Sequence, residues 1–351
     1  MLIKGEIMKK KNFKDNLINF ARTYTIFFVL IAVFVFFAIL KGKRFVNSTN
    51  LLNVIRQCAV VGIVCCGYSF VMISGGSDIS TGWQMNLCMA LMAKFMVDLG
   101  MNPVIAVIIG ILGCIGCQCL NQYIGLKLNL GGFMVTLATQ NIFQGITYLY
   151  TDGRTVNNLP EGFNYVGQGY VFNIIPVAAI VLVICTIITH IVLNKTIFGR
   201  YVFAIGGNEQ AAQLSGINVK KYKMLIACWC GVFIGIASFV MLSRMNSMYP
   251  NAATGYEFKA ILACSVGGLS SQGGVGKVFG MFCGALTISL LTNGMSIAMI
   301  NDYWQIVTNG VLMLCAVAFD QVVTRRTIAR AKLAQAQETR EREHAKLESN
   351  K

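Results

Sequence analysis

Two stretches set polar and glycine residues inside apolar runs, and any chemistry is to be sought there first. One is SGGSDISTGWQMN, Ser74–Asn86. Gly75 and Gly76 break the apolar run, and Asp78 adds a carboxylate. An ionisable group in such a setting marks a functional site by default, as a contact for a transported solute. The plainer role, which these residues favour, is to cap and pack the start of the next helix. The other stretch is VGGLSSQGGVGKVFG, Val266–Gly280, which invites a nucleotide reading. The spacing rejects it. A phosphate-binding loop needs GxxxxGK[ST], and Gly276-Lys277 has Ser271 where the first glycine belongs and Val278 where the hydroxyl belongs. GxGxxG also fails, because Gly280 follows Gly274-x-Gly276 one position late. A break between two half-helices fits better, with Gly267, Gly268, Gly273 and Gly274 in the break. Gly276, Gly280 and Gly284 recur every four residues, a spacing that allows close helix–helix approach.

A third set is uncharged. Thr136, Thr139, Gln140, Asn141 and Gln144 lie in one apolar run, and the first three share a helix face. Such groups can hydrogen-bond the hydroxyls of a sugar, although bonds to neighbouring helices are the commoner use. Thirteen cysteines are present, with CxxC spacing at Cys114–Cys117. No histidine or carboxylate cluster accompanies them, so small packing residues are a better reading than a metal site. Only His190 and His344 occur, and no Ser/His/Asp or paired-carboxylate arrangement is present. Catalysis in this chain is not expected.

The elements that position these groups follow from composition. The chain has 351 residues, of which 56% are hydrophobic and 12% charged. Soluble domains carry about 25% charged residues, so an all-α polytopic membrane protein is expected. The net charge of +15 is concentrated at the ends and in loops, which suits membrane topology rather than nucleic acid. Candidate spans run at 24–40, 57–73, 79–97, 103–121, 132–149, 174–193, 224–243, 258–269, 275–292 and 303–319. Most approach the ~20 residues that a bilayer requires, but 258–269 is too short to cross. That makes about ten helices, some broken or halved. No cleavable signal peptide is expected, since the run at 24–40 has no small-residue cleavage site behind it. Met8 begins a more usual basic leader than Met1 does.

Three regions follow: a basic head at 1–23, a membrane domain at 24–320 and a charged tail at 321–351. The head holds six Lys and Arg, the loop 194–223 five, the tail eight and the loop at Lys127 one, which is 20 of the 29 in the chain. Positive charge collects on the inner side, so both termini and the 194–223 loop are expected in the cytoplasm. Lys41, Lys43, Arg44 and Arg56 disagree locally, and the larger count outweighs them.

The 194–223 loop contains a capped short helix. Asn208 is the N-cap, Glu209 stands at the positive end of the helix dipole, Ala211, Ala212 and Leu214 follow, and Gly216 stops it. Small alanines allow a partner surface to approach. The loop therefore reads as a docking element, with an ordinary ordered loop as the alternative.

With these residues in hand, the chain resembles the permease subunits of bacterial ABC sugar importers, the ribose/galactose (methyl-galactoside) permease family. The resemblance covers roughly 51–321 and rests on Ser74–Gly82 (SGGSDISTG), Thr136–Asp152 (TLATQNIFQGITYLYTD), Phe198–Ile217 (FGRYVFAIGGNEQAAQLSGI), Thr254–Ala260 (TGYEFKA) and Val266–Gly280. It departs at Ser77, Ala138 and Lys259, where the family has an apolar residue, a glycine and an acid. The resemblance implies that Gly206, Gly207, Asn208, Glu209, Ala211, Ala212, Leu214, Ser215 and Gly216 contact an ATP-hydrolysing subunit, which would bind ATP and Mg in place of any cofactor in this chain. It also implies a second permease chain, a soluble solute-binding protein outside the bacterial cell membrane, and a monosaccharide as cargo. An ion-coupled secondary transporter is the rival. It would use Asp78 and Asp302 as coupling acids and leave the docking helix without a role.

Overall fold

The computed structural model describes residues 26–301, 303–318 and 321–322. The basic head, nearly all of the charged tail and Asp302 lie outside the described residues. The rest is helical apart from loops and one two-stranded hairpin. The helices are α1 (Ile26–Lys41), α2 (Lys43–Val46), α3 (Ser48–Ile73), α4 (Thr81–Val97), α5 (Pro103–Leu128), α6 (Gly132–Thr151), α7 (Tyr165–Gln168), α8 (Val177–Lys195), α9 (Ile197–Gly207), α10 (Glu209–Leu214), α11 (Val219–Met245), α12 (Tyr256–Val266), α13 (Val278–Ile297) and α14 (Tyr303–Ala318). The hairpin, β1 (Tyr170–Val171) and β2 (Ile175–Pro176), lies between α7 and α8.

Each of the ten candidate spans overlaps one of these helices. Five of them, α3, α5, α8, α11 and α13, are long and apolar enough to cross a membrane. The 20 residues of α6 are long enough, but its threonines and amides keep it out of that set. Several boundaries differ from expectation. Helix α3 starts at Ser48 rather than 57, because Asn47 caps it by accepting from Thr49 N–H at 3.3 Å. The 194–223 loop is also more ordered than a loop with one short helix. Thr196 caps the additional helix α9 through Gly199 N–H at 3.2 Å, and α11 takes in the last residues of the loop. Helix α12 has 11 residues, a length of about 16 Å, so it passes only partway through a bilayer.

Helix α3 is the centre of the bundle. Sixteen of its 26 residues are buried, and α8, α11, α12 and α13 pack around it. A fully buried central helix needs apolar residues on all sides, and α3 has them from Cys58 to Ile73. Small residues set the spacing elsewhere. Gly231 and Gly235 of α11 lie against the backbone of Ile115 and Ile111 of α5. Large apolar side chains are exposed on α5, α6 and α8, among them Ile108, Leu112, Leu137, Leu149 and Ile187. An apolar surface this broad suits contact with lipid rather than water.

Candidate functional site: an inner cavity beside the capped loop

The segment 74–80 joins α3 to α4 as non-helical backbone at the level of the bundle interior. Such backbone is stable in a membrane protein only where other groups satisfy it. Asp78 does much of this. Its carboxylate accepts from Ser80 N–H at 2.7 Å, Ser80 Oγ at 2.6 Å and Thr81 Oγ1 at 3.3 Å, and from Gln118 Nε2. Its own N–H donates to the Tyr68 hydroxyl at 3.2 Å, and Ile79 N–H donates to Thr136 Oγ1 at 3.3 Å. Ser80 Oγ in turn accepts from Gln84 and Asn121 at 2.7 and 2.9 Å. Asp78 is thus the hub of a buried polar network that holds the start of α4 to α5 and α6.

The network forms one end of a cavity of about 870 Å³. Gly75, Gly76, Asp78 and Thr136 line it, joined by Gln118, Asn121 and Gln122 of α5. Its other end is the capped loop, with Glu209, Gln213, Gly216, Lys220 and Lys223. Thr139 is buried beneath this surface and donates to Thr136 O at 3.3 Å. Gln140 and Asn141 do not line the cavity. Asn141 turns to the exposed side of α6 and donates to Leu137 O at 3.1 Å. The amides of α5 were missed by sequence reading, although their i, i+3, i+4 spacing in an apolar span was available as a signal. Glu257 was missed as well. It is buried at the start of α12, where it accepts from Gly255 N–H at 3.2 Å.

The loop is built as a rigid unit. Asn208 Oδ1 accepts from Ala211 N–H at 2.9 Å. At the far end Gly216 N–H donates to Gln213 O at 3.0 Å and Ile217 N–H to Ala212 O at 3.1 Å, with Gly216 at φ +83°. This is the paired-bond stop that needs a left-handed residue. Lys223 clamps Glu209 at 2.7 Å. Ala212 packs with Ile205, Ile217, Val219 and Tyr222, so it faces inward, whereas Ala211, Ser215 and Leu214 face outward. Leu214 is 90% exposed.

Glycines join the loop to the breaks. Gly206, in the last turn of α9, lies against Ile73 O and Gly274 N, and Gly273 meets Gly206 O and Gly75. Gly274 N–H donates to Ile73 O at 2.8 Å. Gly267 packs on Gly280, and Gly284 on Ala263 O, so α12 and α13 touch through their backbones. Gly276 lies before α13 and faces Leu269 and Ile73, so the four-residue glycine spacing does not form one continuous helix face. Gly268 supplies a left-handed turn.

Residues 50–317 match the family described as branched-chain amino acid transport system / permease component. The chain belongs to this permease family. The permease is 38% identical to the ribose import permease protein RbsC of Bacillus subtilis (strain 168), over 84% of this chain and 91% of that protein. It is 33% identical to the L-arabinose transport system permease protein AraH of Escherichia coli (strain K12), over 85% and 88%. It is 31% identical to the D-allose transport system permease protein AlsC of the same strain, over 92% and 98%. No solved structure matches it.

Proposed function

We propose that the permease is the membrane subunit of an ATP-driven importer for a monosaccharide in a bacterial cell membrane, with both termini in the cytoplasm. The observation that carries this reading is the cavity, which runs from the Asp78 network to the rigid 208–216 loop. A solute path and a docking element that share one wall are what an externally driven carrier needs. Relatives named for ribose, L-arabinose and D-allose support a sugar as cargo. Amides and hydroxyls at the cavity wall suit uncharged hydroxyl groups.

In this reading a partner ATPase binds ATP and Mg and seats on the outward side of α10, at Ala211, Leu214 and Ser215. A second permease chain completes the path, and a soluble binding protein delivers the sugar from the other face. The ATPase drives the cycle because its contact with the loop differs between its two states. Movement of α9 and α10 passes to the 74–80 segment through the glycine junction.

Affinity purification of the chain from its native membrane tests this. An ATPase in about equal amount, lost when residues 208–216 are replaced, is the expected result. Recovery of the chain alone from membranes with normal uptake would overturn it.

A further inference from the structure

A second cavity lies at the opposite end of the bundle from α10. Arg244, in the last turn of the 27-residue α11, lines it with Lys259 of α12, Gln57 of α3, and Ser289 and Thr292 of α13. Its volume is about 190 Å³. It holds two cations, and no carboxylate lines it. Arg244 Nη1 is buried and has no hydrogen-bond partner among the described residues. Lys259 Nζ rests over the Tyr256 ring, 4.6 Å from its centre, and forms no ion pair among the described residues. The neighbouring carboxylate, Glu257, turns away to Gly255 N–H. A buried guanidinium nitrogen left without a partner is unfavourable, and an anion that met both cations would relieve it.

The opposite wall has the reverse character. Ser289 Oγ donates to Ala285 O at 2.8 Å and Thr292 Oγ1 to Ile288 O at 2.9 Å. Their protons are engaged, so Thr292 presents lone pairs, and Ser289 does so beside the Cys58 thiol, which also reaches its hydroxyl. A simple anion would leave those acceptors unmatched, whereas hydroxyl groups on the ligand would donate to them. We propose that this cavity binds a small hydroxylated anion, its phosphate or carboxylate held by Arg244 and Lys259 and its hydroxyls by Ser289 and Thr292. The volume equals the share of about six waters, enough for a glycerol phosphate group or a small sugar acid. The same chemistry has two sources: a dissolved solute arriving from that face, or the headgroup of phosphatidylglycerol in the surrounding bilayer.

The test uses the full chain in phosphatidylcholine nanodiscs, with labelled glycerol 3-phosphate as the free probe and glycerol as the uncharged control. A parallel arm measures phosphatidylglycerol retained by the purified chain in native mass spectrometry. Saturable binding of glycerol 3-phosphate, weakened tenfold or more in Lys259→Gln and Arg244→Gln, supports the site and assigns a dissolved source. Selective retention of phosphatidylglycerol that both variants lose supports the site and assigns the lipid. Lys259 is half-buried at the cavity mouth and forms no ion pair among the described residues, so its variant is expected to fold and carries the test if Arg244→Gln does not. Binding in neither arm, or binding unchanged in a folded Lys259→Gln chain, overturns the proposal. These readouts involve this chain alone and do not depend on the importer reading.

Discussion

Gly206 stands against the carbonyl oxygen of Ile73 with no space for a side chain between them. The same carbonyl accepts from Gly274 N–H at 2.8 Å. One atom therefore ties the end of α9 to the end of α3 and to the glycine-rich segment after α12. Gly206→Ala should force these segments apart. The expected loss of stability is about 1–3 kcal/mol, as for other overpacked sites, with uptake at least tenfold lower while the ATPase stays bound. Gly207→Ala, whose β-carbon would meet nothing within 4 Å, is the control for folding. Thermal unfolding and transport assays on both variants check this.

Ala212 and Leu214 are two residues apart and face opposite ways. Ala212→Trp should disrupt the small core under α10 and loosen the loop itself. Leu214→Asp should leave melting within about 0.5 kcal/mol, as surface changes usually do, yet reduce ATPase retention and uptake together. Retention equal to wild type in Leu214→Asp would place the docking face elsewhere.

Asp78 is saturated by four donors. In Asp78→Asn an NH₂ group must face donors that previously met an oxygen. Leaving buried donors unsatisfied should lower stability by about 1–3 kcal/mol. An ion-coupled carrier would instead need this carboxylate free to change its charge. A proton uncoupler applied at preserved ATP should therefore leave wild-type uptake intact, and collapse of uptake would favour ion coupling.

Gly284 touches Ala263 O through its backbone. Gly284→Val should separate α12 from α13 and destabilise by about 1–3 kcal/mol. Gly116 of α5 has open space around it, so Gly116→Ala should be neutral or should stabilise by about 0.5–1 kcal/mol. Melting temperatures of the two variants make the comparison.

Much of the fold was legible because long apolar runs have few alternatives in a membrane, where the helix satisfies its own backbone. The Asn208 cap and the Gly216 stop were legible for a similar reason, since both depend on neighbours along the chain. Helix α9 was not, because its three glycines and its place between basic residues read as loop, although its apolar residues recur with helical periodicity. Contacts between distant segments were also hidden. Thr136 lines the cavity while Gln140, one turn on and on the same helix face, does not, and only the packing of α6 against α4 and α5 separates them.

By itself the sequence determined that the chain is a helical membrane protein, that glycine-rich breaks follow Ile73 and Val266, and that the loop before α11 holds a capped short helix. These are local consequences of hydropathy, glycine and capping chemistry. The tertiary structure decided that Asp78 is spent on Ser80, Thr81 and Gln118, that the α5 amides share its cavity, and that Gly75, Gly206 and Gly273 meet at one point. Those relationships join residues far apart in the chain, and only the close packing of helices around α3 brings them within bonding distance.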